Sequence, residues 1–305
     1  MSPREAVTDV AASVRARLLR LAQERGEDFQ LVLSDFATER FLYRLGVSRH
    51  ADRFVLKGAM LLRLWSADRH RATWDVDLLG RRAASAEGVE AAVREICAIA
   101  CDDGLTFDPD SMVVEEIREA EDYPGVRVRL AWHLARARIP MQIDVAFDEV
   151  TVPAPELARY PTLLGHPEPS ILAYPRETVV AEKLEAIVSL GPTNSRMKDY
   201  YDLWLLASRF EFDAARLQQA IRATFEHRGT PLPDAEPAEI TPAYLTEPGR
   251  QALWRSFWQR NRPSEPQESV GTMAETLQRF LGPICEALAR GRASTAKWPP
   301  GGPWR

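Results

Sequence analysis

The stretch TWDVDLLG, residues 73–80, alternates apolar Val76 and Leu78 with Asp75 and Asp77. That is the period of a strand with one wet face, so the two carboxylates project to the same side. A third acid, Asp144, stands in MQIDVAF, where Met141, Ile143, Val145 and Phe147 form an apolar face and Gln142, Asp144 and Ala146 the other. Carboxylates at i and i+2 of one strand and a third on a neighbour crowd too closely to stay ionised without a cation. Hard oxygen ligands with no His or Cys beside them suit Mg²⁺ or Mn²⁺ rather than Zn²⁺. Such a set serves phosphoryl or nucleotidyl transfer, in which two ions roughly 3.5–4 Å apart stabilise the entering and leaving oxygens. D-x-D alone is a weak signal, since its bland reading is a pair of solvated surface acids.

The flanks sharpen it. Lys57 and Gly58 precede the helical run AMLLRLW. Gly58 there would let a phosphate approach a helix N-terminus while Lys57 adds charge; the bland alternative is an ordinary helix entry. Arg69, Arg71 and Thr73 lie just before the acid pair, with Thr73 on the same strand face and Arg71 placed to meet a triphosphate. The chain has 35 Arg but only four Lys, at 57, 183, 198 and 297. Against that background a Lys marks a place for a compact point charge.

These residues need a scaffold, and 305 residues suffice for one large or two moderate domains. Hydrophobic residues at 45% and charged ones at 27% are globular values, which excludes a disordered or collagen-like chain. The longest apolar runs, about a dozen residues, are too short for a bilayer-spanning helix, and the N-terminus lacks a secretory signal, so the reading is cytoplasmic with no membrane partner. Three cysteines (97, 101 and 285), an odd number without CxxC pairs, exclude a disulfide framework and a zinc site; Cys97 and Cys101 read as small core residues of a helix. Net charge is −5, yet residues 251–305 hold eight basic against four acidic side chains. A local basic face for nucleic acid therefore stays open.

Two amphipathic helices fill the first 46 residues, stopping at Gly26 and Gly46, and a third covers 86–102. Strands are expected around SMVVEEIRE, GVRVRLAWHL and RIPMQIDVAF. The proline-rich stretch 151–175 reads as a linker or covering loop, dividing an N-terminal part, 1–150, from a helical part, 151–305, whose tail KWPPGGPWR reads as flexible. The expected fold class is α+β: a small mixed sheet flanked by helices, then a helical bundle, with the polar strand face lining a cleft.

The segment LKGAMLLRLWSADRHRATWDVDLLG resembles the nucleotidyltransferase toxins of the AbiEii/AbiGii type, which include the MenT toxins of type IV toxin–antitoxin systems. The shared pattern is a glycine-containing turn, a helix and R-x-[S/T]-x-D-x-D. It continues with MQIDVAF, with a lysine-bearing helix here containing Lys183, and with a K-D-x-x-D-L element formed by Lys198, Asp199, Tyr200, Tyr201, Asp202 and Leu203. The likeness spans roughly residues 50–210. It implies a polymerase-β-like nucleotidyltransferase core joined to a helical domain, a divalent metal, a nucleoside triphosphate substrate and a DNA-binding antitoxin, expected as a winged-helix protein. It also implies growth inhibition, with the 3′ end of tRNA as the acceptor. By resemblance Asp75, Asp77 and Asp144 bind metal, Lys183 meets the triphosphate and Asp199 is a further catalytic acid. Asp202 shares a helix face with Asp199, and Lys198 adds positive charge there without pairing with either. The chain departs from the family at Ala59, where a Ser, Thr or second Gly is usual, so no hydroxyl is available there to hold a phosphate.

RNA contact would be electrostatic, through Arg127 and Arg129 on one strand face, Arg136 and Arg138 beyond, and Arg255, Arg260 and Arg262 beside Trp254, Phe257 and Trp258. The three aromatics, at i, i+3 and i+4, read either as a stacking platform or, more simply, as a buried stripe. A non-catalytic nucleotide- or partner-binding module with the same fold is the alternative, and Ala59 favours it. A D-x-D glycosyltransferase is a poor fit, because no run of βαβ units precedes the motif.

Overall fold

The computed structural model describes residues 9–66, 73–81, 85–118, 124–261, 263 and 268–305. They fall into two compact units. One comprises the residues up to Asp148 together with Leu157–Ala173, the other Glu149–Glu156 and Tyr174–Arg305.

The first unit opens with helices α1 (Val10–Arg25) and α2 (Phe29–Val47). Asp9 and Asp28 cap their N-termini by accepting backbone N–H groups, and Gly26 ends α1 in a left-handed conformation. Then come β1 (Phe54–Lys57), α3 (Met60–Trp65), β2 (Asp75–Gly80), α4 (Ala86–Cys97), β3 (Leu105–Arg118), β4 (Pro124–Leu134) and β5 (Ala137–Phe147). Two further strands, β6 (Glu156–Arg159) and β7 (Ser170–Ala173), complete a mixed sheet of order β3-β4-β5-β2-β1-β7-β6. β2 runs parallel to β5 and antiparallel to β1, while β3, β4 and β5 form an antiparallel meander. Val76, Leu78, Val128, Leu130, Ile143 and Val145 are buried on one face, and α2 packs against β5 and β7. Residues 151–175 are thus not merely a linker. Their prolines flank two short strands rather than interrupting them, and β7 pairs in parallel with β1.

Behind the sheet, α2 carries a buried ion cluster. Arg44 donates to both oxygens of Asp103, at 2.7 and 3.1 Å, and Arg40 to one of them at 3.2 Å. Glu39, fully buried on the same helix, accepts the Leu163 N–H at 2.7 Å, and its other oxygen has no hydrogen-bond partner.

The second unit is helical: α5 (Arg176–Leu190), α6 (Met197–Arg209), α7 (Ala214–His227), α8 (Pro242–Leu245), α9 (Pro248–Asn261) and α10 (Val270–Ala289). Here the tail departs from expectation. β9 (Lys297–Trp298) pairs with β8 (Phe212–Asp213), Trp298 is fully buried and donates to the Ala207 carbonyl at 2.7 Å, and Trp304 stacks on Phe280. The buried ring of Trp298 and the half-buried ring of Trp304 outweigh the local flexibility of the glycines and prolines. Trp254 and Phe257 are buried and stack on each other, so these two rings of the α9 stripe are core, while Trp258 is half-buried against Trp254 and Tyr201. The cysteines are free. Cys97 ends α4 in the core, whereas Cys101 lies beyond the helix and is only half-buried. Among the described residues no helix is long and apolar enough to cross a membrane.

Candidate active site

β2 delivers Asp75 and Asp77 to one face, both half-buried, while Val76 and Leu78 between them point into the core. Register places the third acid. Asp77 stands opposite Asp144 on parallel β5 and opposite Lys57 on antiparallel β1. Neighbouring strands are about 4.8 Å apart, so these side chains share one face at close quarters. The row extends further, since Arg127 of β4 is opposite Asp144 and Glu115 of β3 is opposite Arg127. One line across five strands therefore reads Glu115, Arg127, Asp144, Asp77, Lys57, with cations bracketing the two aspartates.

Arg127 takes both oxygens of Asp144, Nε to Oδ1 at 2.8 Å and Nη2 to Oδ2 at 2.7 Å, and Gln142 Nε2 donates to Oδ2 at 3.2 Å. Arg129 is paired with Glu115 at 3.0 Å, whereas Arg136 and Arg138 are exposed. Two of the arginines expected on RNA thus already have carboxylate partners. The Arg127–Asp144 bond was legible in principle, because counting back from a two-residue turn at Ala135–Arg136 sets these residues opposite each other.

Gly58 makes room for one of the two aspartates. Its φ is +74°, and a Cβ added there would lie 1.9 Å from Asp77 Oδ2. The turn after β1 is glycine because the Asp77 carboxylate occupies the space of a side chain. Ala59 is the N-cap of α3, a helix of only six residues, and makes no side-chain capping bond. Thr73, half-buried, precedes Asp75; Arg69, Arg71 and Arg262 lie outside the described residues.

The second unit gathers Lys183, Asp199 and Asp202. Lys183 Nζ lies 2.8 Å from both Asp199 Oδ1 and Asp202 Oδ2, and Arg196 Nε donates to Asp199 Oδ2 at 2.8 Å. Both aspartates are 1% exposed. Burial favours the neutral form of Asp199, but Lys183 and Arg196 together hold its carboxyl below the usual range. Lys198, next to Asp199 in sequence, is exposed. The turn ahead of α6 is stapled by Arg250, which sequence reasoning missed: it donates to the carbonyls of Pro192 and Asn194 and to the Tyr244 hydroxyl.

The half-exposed Asp75 and Asp77, with a glycine yielding space to one of them, offer hard oxygen donors suited to a divalent cation. Among the described residues no group of three or more His, Cys, Asp or Glu side chains is gathered to hold a metal ion.

A mixed sheet with D-x-D on one strand, an acid in register on the next and helices on the opposite face is the layout of a nucleotidyltransferase core. The profile of the nucleotidyl transferase AbiEii toxins of type IV toxin–antitoxin systems matches residues 40–280, and the chain belongs to that family. The fold is shared with the crystal structure of JHP933 from Helicobacter pylori, at 11% identity and TM-score 0.50, over 86% of this chain and 93% of that one. A second H. pylori crystal structure, of a candidate nucleotidyltransferase, aligns at 11% identity and TM-score 0.49, over 86% and 96%. No curated protein gives a significant match. Family membership brings with it a nucleotide substrate and an antitoxin partner.

Proposed function

We propose that the protein is a Mg²⁺- or Mn²⁺-dependent nucleotidyltransferase toxin that moves a nucleoside monophosphate from an NTP to an RNA 3′ end, with tRNA as the acceptor. The observation that carries this reading is the strand pair: Asp75 and Asp77 half-exposed on β2, with Asp144 in register beside Asp77. Asp75 and Asp77 are the residues that would hold the ion, and a bound ion would offset charge on the phosphate oxygens as the α-phosphorus is attacked. In the reaction the acceptor hydroxyl oxygen bonds to the α-phosphorus, the bond from that phosphorus to the bridging oxygen breaks, pyrophosphate leaves and the hydroxyl proton is lost. Lys57, flanking Asp77, adds a cation beside the triphosphate, and Thr73 extends the polar face. By family resemblance Lys183 meets the triphosphate and Asp199 is a further catalytic acid, with Lys198 adding positive charge beside it. A cognate winged-helix antitoxin completes the system.

The test uses purified protein, total tRNA, each of the four α-³²P NTPs and Mg²⁺ or Mn²⁺. Label at the tRNA 3′ end, its loss in Asp75→Ala together with loss of growth arrest, and a melting temperature raised jointly by NTP and ion are the expected results. Absence of transfer to RNA with every NTP and both ions sinks the assignment. Growth arrest that survives Asp75→Ala favours the non-catalytic alternative.

A further inference from the structure

The turn that joins the lysine-bearing helix to the acid-bearing one is gripped by side chains from neither. Gly191–Thr193 form one 3₁₀ turn between α5, which carries Lys183, and α6, which carries Asp199 and Asp202. Carbonyls at a helix end lack partners within the helix, so donors must come from elsewhere. Arg250 of α9 donates to the carbonyls of Pro192 and Asn194 and to the Tyr244 hydroxyl, and its guanidinium lies 4.6 Å from the centre of the Tyr244 ring. Tyr244 in turn donates to the Gly191 carbonyl at 3.2 Å. Two side chains thus hold three carbonyls of this connection. Arg250 is 9% exposed, and its three bonds go to neutral oxygens. A planar guanidinium with several fixed donors can span two carbonyls and a hydroxyl at once.

The grip is passed along the chain. Asn194, 1% exposed, accepts the Arg196 N–H on Oδ1 at 2.8 Å, and the Asp199 N–H bonds back to the Arg196 carbonyl at 3.0 Å. Arg196, fixed in this way at its backbone, donates Nε to Asp199 Oδ2 at 2.8 Å, while Lys183 Nζ donates to Oδ1 at 2.8 Å. Resting on the reading of Lys183 and Asp199 as parts of the transfer machinery, we infer that Arg250 is a positioning residue for nucleotidyl transfer. Its hold on the Pro192 and Asn194 carbonyls sets where the chain enters α6, that entry sets Arg196, and Arg196 together with Lys183 sets the Asp199 carboxylate. A misplacement of about 1 Å at a reacting group costs on the order of a hundredfold in rate, so a residue acting through others still governs the reaction. The competing account is charge alone, which a lysine at 250 would supply equally well.

The experiment follows label transfer from an α-³²P NTP to tRNA by the full chain, as kcat, KM and pH profile, for wild type, Arg250→Gln, Arg250→Lys, Arg196→Gln, Arg250→Gln/Arg196→Gln and Asp199→Asn. Arg250→Gln is expected to lower kcat at least about tenfold, and Arg250→Lys nearly as far, since one ammonium cannot span the same three oxygens. Burial opposes the ionised form of Asp199, while Lys183 of α5 and Arg196 of the turn favour it against Asp202. Arg250→Gln and Arg196→Gln should therefore both move the acid limb of kcat to higher pH. The double variant should fall within about twofold of Arg196→Gln, because the two residues act along one path. Hydrogen exchange reads that path without catalysis: amides of residues 194–199 should exchange at least about tenfold faster in Arg250→Gln, and those of α7 within about twofold of wild type. Circular dichroism establishes folding. Should Arg250→Gln fail to fold, Tyr244→Phe, which removes one hydroxyl from the grip, takes its place with a kcat loss of about threefold. Wild-type kcat, acid limb and exchange in the folded variant, full activity in Arg250→Lys, or losses that multiply in the double variant each overturn the proposal. A wild type that transfers no label, or Asp199→Asn as active as wild type, overturns instead the catalytic reading on which it rests.

Discussion

Two acidic motifs of nearly the same composition have opposite fates in this chain. D-x-D on β2 keeps its carboxylates half-exposed on an open sheet face, whereas K-D-x-x-D on α6 has its two aspartates 1% exposed around Lys183. The difference is one of period. On a strand, alternate residues leave the core together and can meet an incoming ligand. On a helix packed on both sides, residues three apart are carried inward together and must be neutralised from within. Glu39 is a third case: a buried acid without a bonded cation. Its carboxyl is pushed up to about 7, first by burial, against the Leu163 N–H, Arg63 and Arg40 that favour the ionised form, with Asp103 raising it further. Among the described residues, the buried acids Asp103, Asp199 and Asp202 are paired with cations, whereas burial pushes Glu39 toward its neutral form.

The contrast can be broken by experiment. The largest effect is expected for Lys183→Met, which removes the cation shared by two buried carboxylates: a loss of about 3–5 kcal/mol in urea unfolding, much of it recovered in Lys183→Met/Asp199→Asn/Asp202→Asn. If Lys183→Met unfolds like wild type, the triad is not a buried ion network. Next is the pH dependence. Because the folded pKa of Glu39 lies above its ordinary value of 4.5, its contribution is complete below about pH 4.5 and is lost progressively as the pH rises through about 7. The full span amounts to roughly 3 kcal/mol. Denaturation curves of Glu39→Gln should lack that decline, and a decline identical to wild type would remove Glu39 as its source. Asp199 has the opposite sign. Held below the usual carboxylate range, it stabilises the fold above the ordinary value, and that stability is lost as the pH falls through its depressed one.

Smaller again is Gly58→Ala, which places a Cβ on the Asp77 carboxylate at φ +74° and should cost about 1–3 kcal/mol by thermal melting while weakening Mn²⁺ binding. A variant that melts normally and binds Mn²⁺ normally would show that Asp77 has room to move. The smallest change belongs to Lys198→Ala. Exposed beside the triad, it should alter stability by no more than about 0.5 kcal/mol, which sets it apart from Lys183 although both flank the same acids.

Much of the sheet was legible because alternation survives tertiary context. Asp75, Asp77 and Asp144 were assigned to polar faces by period alone, and the structure has them in register on β2 and β5. The helices of both units were legible from their apolar spacing and from stop signals such as Gly26. The strands in 151–175 were not, since four residues between prolines carry too little pattern and gain their meaning only from the partner strand, β1 for β7. Nor was the ordered tail, whose glycines and prolines suggest mobility until Trp298 and Trp304 find Phe280.

The sequence by itself determined which faces are apolar, where helices begin and end, and which acids stand together, because these follow from periods of two and 3.6 and from local caps. Only the tertiary structure decided which partner each charge has: Arg127 for Asp144, Lys183 for both Asp199 and Asp202, none within bonding distance for one oxygen of Glu39. Pairing depends on strand register and helix packing between residues 16 to 124 positions apart, and no local pattern encodes the distance that the electrostatic interaction requires.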